Sequence, residues 1–183
     1  GKRDLEQKTI KTVGYAEERF QEDYLRILRA IRFSTQLKFT IEENTFNAGK
    51  KYASKISKVS KERVRDELFK ILLTDTPSNG IKYLEKMGVL AVILPELVTT
   101  IGFDQKNPHH EKNLYNHILC VLDNTPTILN LRLAALFHDI GKPYTQFLDE
   151  KGIGRYYGHD KIGAKITENI LKRFNSSNEL IEK

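Results

Sequence analysis

The stretch Glu18-Arg19-Phe20-Gln21-Glu22-Asp23-Tyr24-Leu25-Arg26-Ile27-Leu28-Arg29-Ala30-Ile31-Arg32-Phe33 decides how the chain is read. Leu25, Ile27, Leu28 and Ile31 recur at helical spacing with charges on most other positions, which predicts an amphipathic helix from Glu18 to Leu37. On such a helix Glu22 lies four residues and Asp23 three residues before Arg26, so both acids can meet one guanidinium. Taken alone, this is surface ion pairing worth roughly a few tenths of a kcal/mol. Base-edge chemistry offers a second reading. An aspartate accepts from an exocyclic amine, and an arginine donates to a ring nitrogen or carbonyl. Cytosine and adenine carry an amine beside a ring acceptor, whereas guanine and uracil present the opposite pattern. An Asp–Arg pair steadied by Glu22 would accept the first two and leave polar groups unpaired against the others.

Outward from this stretch, most of the chain reads as helix. A turn at Thr40 to Thr45 leads into a helix reaching about Ser54. Ser60-Lys61-Glu62-Arg63 opens another as a serine cap with early acidic charge, running to about Leu73. The cluster Asp75-Thr76-Pro77-Ser78-Asn79-Gly80 reads as a break, and Gly88 as a second. Thr99 to Asn107 lacks periodicity and serves as the internal boundary, giving domains 1–98 and 99–183. Leu114 to Asp123 and Leu129 to Asp139 read as helices, Gln146 to Tyr157 as a hairpin around Asp149-Glu150-Lys151-Gly152, and Asp160 to Phe174 as the last helix. The predicted fold class is all-α, in two packed helical lobes, with one small β-hairpin near 146–157. Arg26, Arg29 and Arg32 step by three, so Arg26 can read a base while Arg29 and Arg32 reach acids or RNA phosphate. Lys58, Lys61, Arg63 and Arg65 read as a solvated basic strip.

Hydrophobic residues at 39% and charged residues at 30% describe a folded rather than a disordered chain. The net charge of +6 favours a polyanionic partner. A single cysteine, Cys120, excludes an intrachain disulfide, suits a reducing cytoplasm, and reads as a small core residue. No apolar run is long enough for a membrane span, so no membrane partner is expected. The chain opens on Gly1-Lys2-Arg3-Asp4 instead of methionine, and is expected to be a fragment.

The opening stretch, with Asp4-Leu5 and Lys11-Thr12-Val13-Gly14 before it, resembles the neck of bacterial class II CCA-adding tRNA nucleotidyltransferases and their poly(A) polymerase relatives. The likeness continues through Val59-Ser60-Lys61-Glu62-Arg63-Val64-Arg65-Asp66-Glu67-Leu68 and Leu94-Pro95-Glu96-Leu97. It implies that Glu22, Asp23, Arg26 and Arg29 form the amino-acid template for an incoming CTP or ATP, and that the acceptor end of a tRNA is the partner. Lys11 stands where the family usually has arginine, and Lys38 where it usually has glycine. The family's Gly-Ser motif and Asp-x-Asp magnesium pair belong to an N-terminal head and do not occur in these 183 residues. Two-metal phosphoryl transfer therefore has no site here, and weak nucleotide reading without polymerisation is expected.

A second constellation consists of His117, His138-Asp139-Ile140-Gly141-Lys142-Pro143 and His159 in Gly158-His159-Asp160-x-x-Gly163. Imidazoles with a carboxylate suit a borderline or hard divalent cation that keeps an open position. The pattern resembles HD-domain phosphohydrolases. That resemblance implies that His117, His138 and Asp139 ligate Mg, Mn or Ni, that His159 is an additional ligand, and that a final aspartate lies further downstream. Lys142 and Arg155 are expected to steer phosphate, and His109 and His110 to help bind it, ranked below the four ligands. Three function classes follow: the body of a transferase that selects CTP and ATP, an independent HD phosphohydrolase or 2′,3′-cyclic phosphodiesterase, and a non-catalytic RNA-binding module.

Overall fold

A computed structural model describes residues 1–106 and 113–182, which form two units, Gly1–Ile93 and Leu94–Lys183. The fold is helical, with two sheets of two strands each among the described residues. His109 and His110 lie outside the described residues.

In the first unit, α1 (Lys2–Glu6) and β1 (Thr9–Ile10) lead to α2 (Ala16–Glu22) and α3 (Leu25–Leu37). The single helix expected from Glu18 to Leu37 is thus interrupted. Asp23 is extended, at φ −155° and ψ 107°, and its carboxylate accepts from the Leu25 amide at 3.1 Å. A short acidic side chain competes well with the helix for backbone donors, and here it ends one helix and satisfies a free amide of the next. The α3 stripe of Leu25, Ile27, Leu28 and Ile31 is buried as the spacing requires. Its C-cap, Lys38, is left-handed at φ 57°, and the Phe39 amide returns to the Ser34 carbonyl at 2.9 Å. Strand β2 (Thr40–Ile41) then pairs in parallel with β1, Thr9 opposite Thr40.

Helix α4 (Glu43–Tyr52) is capped by Glu42, whose carboxylate accepts from the Thr45 amide at 2.8 Å and its hydroxyl at 2.9 Å. After a 3-10 turn (Ala53–Lys58), α5 (Lys61–Leu72) starts at Ser60. The serine backbone takes the expected cap conformation, but its hydroxyl makes no capping bond. The chain does break after α5, but helix α6 (Pro77–Lys86) begins inside the predicted cluster. Pro77 takes the first helical position, where its missing N–H is no loss, and Gly80 enters the core. A Cβ on Gly80 would lie 2.3 Å from Ile71 and 2.9 Å from Thr35, so glycine here permits close helix packing and does not mark a turn. Gly88, at φ 76°, does end the segment before α7 (Leu90–Ile93).

The second unit comprises α8 (Pro95–Val98), α9 (Leu114–Asp123), α10 (Leu129–Phe137), α11 (Lys142–Thr145), the antiparallel pair β3 (Phe147–Leu148) and β4 (Gly154–Arg155), α12 (His159–Arg173) and α13 (Asn178–Glu182). Cys120 is exposed, correcting its expected place in the core. Helix α9 buries Leu114, Tyr115, Ile118, Leu119 and Leu122, and position 120 falls on the opposite face. Arg132 is buried, donating from Nη1 to the Leu122 carbonyl at 2.6 Å and from Nε to that of Pro126 at 3.1 Å, so it closes the end of α9. Glu96 of α8 forms a two-pronged pair with Arg173 of α12, at 2.9 Å on the Nη2 prong.

Candidate functional site

At the end of α2, Glu22 receives Arg26 at 2.7 Å on one carboxylate oxygen and Arg19 at 2.8 Å on the other. Arg19 is held in turn by the Val13 carbonyl at 3.0 Å. The two acids do not share Arg26, as helical spacing predicted. Because Asp23 leaves the helix, its carboxylate meets Arg63 of α5 at 2.7 Å. Burial pushes the Asp23 carboxyl upward, but the Arg63 guanidinium and the Leu25 amide hold it below its ordinary value. Sequence reasoning assigned Arg63 to a solvated strip. The only sign of its pairing was its place in a stretch that resembles a family motif, since helical spacing cannot relate residues forty positions apart.

Arg29 is exposed and in no ion pair among the described residues. Arg32 does not face outward. Its Nε lies 2.6 Å from Glu67 of α5, both side chains are largely buried, and the guanidinium carbon sits 4.0 Å from the Phe33 ring centre. It ties α3 to α5 and does not reach for RNA phosphate.

In the second unit, His117 projects from α9, His138 closes α10, Asp139 follows it and His159 begins α12. The ligating atoms of His117, His138 and Asp139 lie within 4.8 Å of one another. The Nε2 atoms of His117 and His138 are 3.3 Å apart, and those of His138 and His117 stand 3.2 and 3.6 Å from Asp139 Oδ2. His159 Nε2 approaches the other carboxylate oxygen at 3.7 Å. His138 Nδ1 lies 2.8 Å from the Ala135 carbonyl and His159 Nδ1 2.7 Å from that of Tyr156. Each Nδ1–H is therefore the natural donor to a carbonyl, which turns the Nε2 lone pairs inward. Facing lone pairs beside a buried carboxylate suit a divalent cation.

One cation supports the cluster. Lys142 Nζ lies 2.8 Å from Asp139 Oδ2, engaged with the carboxylate and not presented to a phosphate. Burial would raise the Asp139 carboxyl, but the neighbouring His138 and Lys142 hold it well below the usual carboxylate range. The same contact with Asp139 raises His138. Arg155 pairs with Asp149 at 2.8 Å within the hairpin. Gly141 permits the approach of α12, since a Cβ there would lie 2.1 Å from the His159 carbonyl. A cleft of about 380 Å³, lined by Leu133, Phe137, Leu171 and Ile181, opens beside His138.

Residues 38–100 match a family described as the probable RNA and SrmB-binding site of polymerase A, and residues 114–183 match the HD domain. The chain is 36% identical over 179 residues to a CC-adding tRNA nucleotidyltransferase of Thermus thermophilus, covering 91% of this chain and 41% of that protein. It is 37% identical over 185 residues to an A-adding tRNA nucleotidyltransferase of Deinococcus radiodurans, covering 94% of this chain and 42% of that one. Its fold resembles the Thermotoga maritima CCA-adding enzyme complexed with tRNA, with a TM-score of 0.58 at 23% identity over 100% of this chain and 38% of that one. A CCA-adding enzyme solved with CTP gives a TM-score of 0.56 at 23% identity, over the same shares. The chain thus spans about two fifths of the length of the curated relatives it matches.

Proposed function

Because the chain belongs to the tRNA nucleotidyltransferase and poly(A) polymerase family, we propose that its first unit selects CTP and ATP for addition to the 3′ end of a tRNA. The observation that carries this reading is the separation of the two acids. Glu22 fixes Arg26, while Asp23 is held outside the helix by Arg63 and the Leu25 amide. One oriented acceptor and one oriented donor on neighbouring turns are what an amine beside a ring nitrogen requires. Phosphoryl transfer itself is not assigned to these residues, which lack the carboxylate pair that would hold magnesium.

The test is nucleotide titration of the chain by NMR, with shifts read at α2 and α3. CTP and ATP should bind weakly but in preference to GTP and UTP. Asp23→Ala or Arg26→Ala should reduce that preference about tenfold, since an unpaired buried polar group costs about 1–3 kcal/mol. Equal binding of all four nucleotides by the parent chain would return these residues to ordinary ion pairing.

A second activity is favoured by the convergence of His117, His138, Asp139 and His159: metal-dependent hydrolysis of phosphomonoesters or 2′,3′-cyclic phosphates. A Mg, Mn or Ni ion held there would act as a Lewis acid toward a phosphate oxygen or a water. The chain's own residues orient it, with the Ala135 and Tyr156 carbonyls setting the imidazoles and Lys142 keeping Asp139 ionised. Metal should bind the parent chain stoichiometrically and His138→Ala about 10–100-fold more weakly. Binding without turnover of a cyclic phosphate would leave a metal-stabilised RNA-binding module, and no binding would remove the reading altogether.

A further inference from the structure

In the second unit, the hairpin has one face turned inward and one turned outward. Inward, the Tyr156 hydroxyl donates to the Gln105 carbonyl, the Tyr156 and Phe103 ring centres lie 6.4 Å apart, and the Gly154 amide reaches the Lys106 carbonyl at 2.8 Å. A Cβ on Gly154 would lie 2.2 Å from the Gln105 carbonyl, so glycine lets the hairpin seat on that segment. Outward, Phe147 stands opposite Arg155 across the strand pair, and directly opposed residues share a face. Tyr157 lies two residues beyond Arg155, and its ring centre is 5.5 Å from that of Phe147, with the planes 38° apart. Phe147 is 46% and Tyr157 77% exposed. Asp149 fixes this platform: its Oδ1 accepts from the Lys151 and Ile153 amides at 3.0 and 2.9 Å, and its Oδ2 takes Arg155 at 2.8 Å.

We infer that this outward face stacks the base of a nucleotide whose phosphate lies toward the His117, His138 and Asp139 cluster. Every base has a π-face, and exposed aromatic rings with a guanidinium beside them are how proteins hold unpaired bases. Only Gly158 separates Tyr157 from His159, so at most about 7 Å of chain joins them. The turn between them is tight. Gly158 is left-handed at φ 77°, and the Tyr156 carbonyl accepts from the His159 amide at 3.1 Å and faces its Nδ1 at 2.7 Å. The carbonyl that sets the His159 imidazole thus belongs to the turn that carries Tyr157. A protein partner is the weaker fit. A stable interface takes about 20–30 residues a side, and the exposed large apolar residues here are Tyr144, Phe147, Leu148 and Tyr157. The inference rests on the reading of this unit as one that acts on phosphate esters, and adds that those esters carry a base, which Phe147 and Tyr157 select.

The experiment compares adenosine 5′-monophosphate with ribose 5-phosphate, which lacks the base, as ligands of the whole chain. Affinities are read by NMR titration, with the ring-proton shifts of Phe147 and Tyr157, for the parent, Tyr157→Ala, Phe147→Ala and Tyr157→Phe. The nucleotide should bind the parent about 5- to 100-fold more tightly than the sugar phosphate. Either alanine variant should lose most of that difference, Tyr157→Phe should keep it, and ribose 5-phosphate should bind all four proteins alike. Equal affinity of the two ligands for the parent overturns the inference. So does a preference that survives in both alanine variants, as binding at α2 and α3 would give. Self-association that Tyr157→Ala abolishes, with nucleotide preference unchanged, would assign the face to a second copy and overturn it too. Manganese titration of the same samples separates the inference from the reading beneath it. Metal bound without base preference overturns the inference alone, and neither bound removes the hydrolase reading as well.

Discussion

Lys38 shows how one residue can work against the element it ends. A side chain with a Cβ in the left-handed region costs about 1–2 kcal/mol relative to the right-handed one, and glycine avoids that cost. The exposed contact with Asp75 returns little of it. Lys38→Gly should therefore raise stability by about 0.5–1 kcal/mol, read as an upward shift in urea midpoint with unchanged slope. Asp23 makes the complementary point. Its identity and its nearness to Arg26 were legible in sequence, but its partner Arg63 was not, because local spacing speaks only of neighbours on one helix. Arg32 was misplaced for the same reason. A stepped row of arginines looks alike whether each faces solvent or a buried glutamate on another helix.

At the scale of elements, glycines divide into those that end a helix and those that let two elements touch. Gly88 belongs to the first kind, while Gly80 and Gly141 belong to the second. The predicted break at Asp75 to Gly80 extends only to Thr76, because a Pro-Ser-Asn-Gly cluster serves equally as a turn or as the first turn of a close-packed helix. Gly141 is the more consequential case, since the backbone of His159 occupies the space a methyl group would need. Gly141→Ala should cost about 1–3 kcal/mol and displace the first turn of α12. Manganese affinity, measured by calorimetry, should fall about 10–100-fold with it. Unaltered affinity in the folded variant would show that His159 is not positioned by this contact.

Across the whole molecule, the net charge of +6 coexists with carboxylates that are held in place by cations. Glu96 is typical. Burial pushes its carboxyl up, yet the hydrogen bonds from Arg173 hold it below its ordinary value. A carboxylate whose folded pKa is depressed contributes stability above its unfolded value of about 4.3, and that contribution disappears as pH falls through the folded value. Asp23 and Glu42 are lowered in the same sense. The melting temperature should accordingly decline below about pH 4.5, and Glu96→Gln should be less stable near neutrality with a shallower acid decline. Parallel curves for the two proteins would show that the Glu96–Arg173 pair contributes no acid sensitivity. The helical class, the α3 core stripe and the hairpin turn were determined by the sequence itself, because each depends on periodicity or on side-chain chemistry carried by short segments, whereas the grouping of His117 with His138-Asp139 was legible only through the resemblance to HD domains. Tertiary structure alone decided that Asp23 pairs with Arg63, that Arg32 and Lys142 are engaged with Glu67 and Asp139, and that Lys38 shares a cleft with two lysines of α6. Those outcomes depend on which faces of distant helices meet, and burial of apolar surface sets that geometry without regard to the order of charges along the chain.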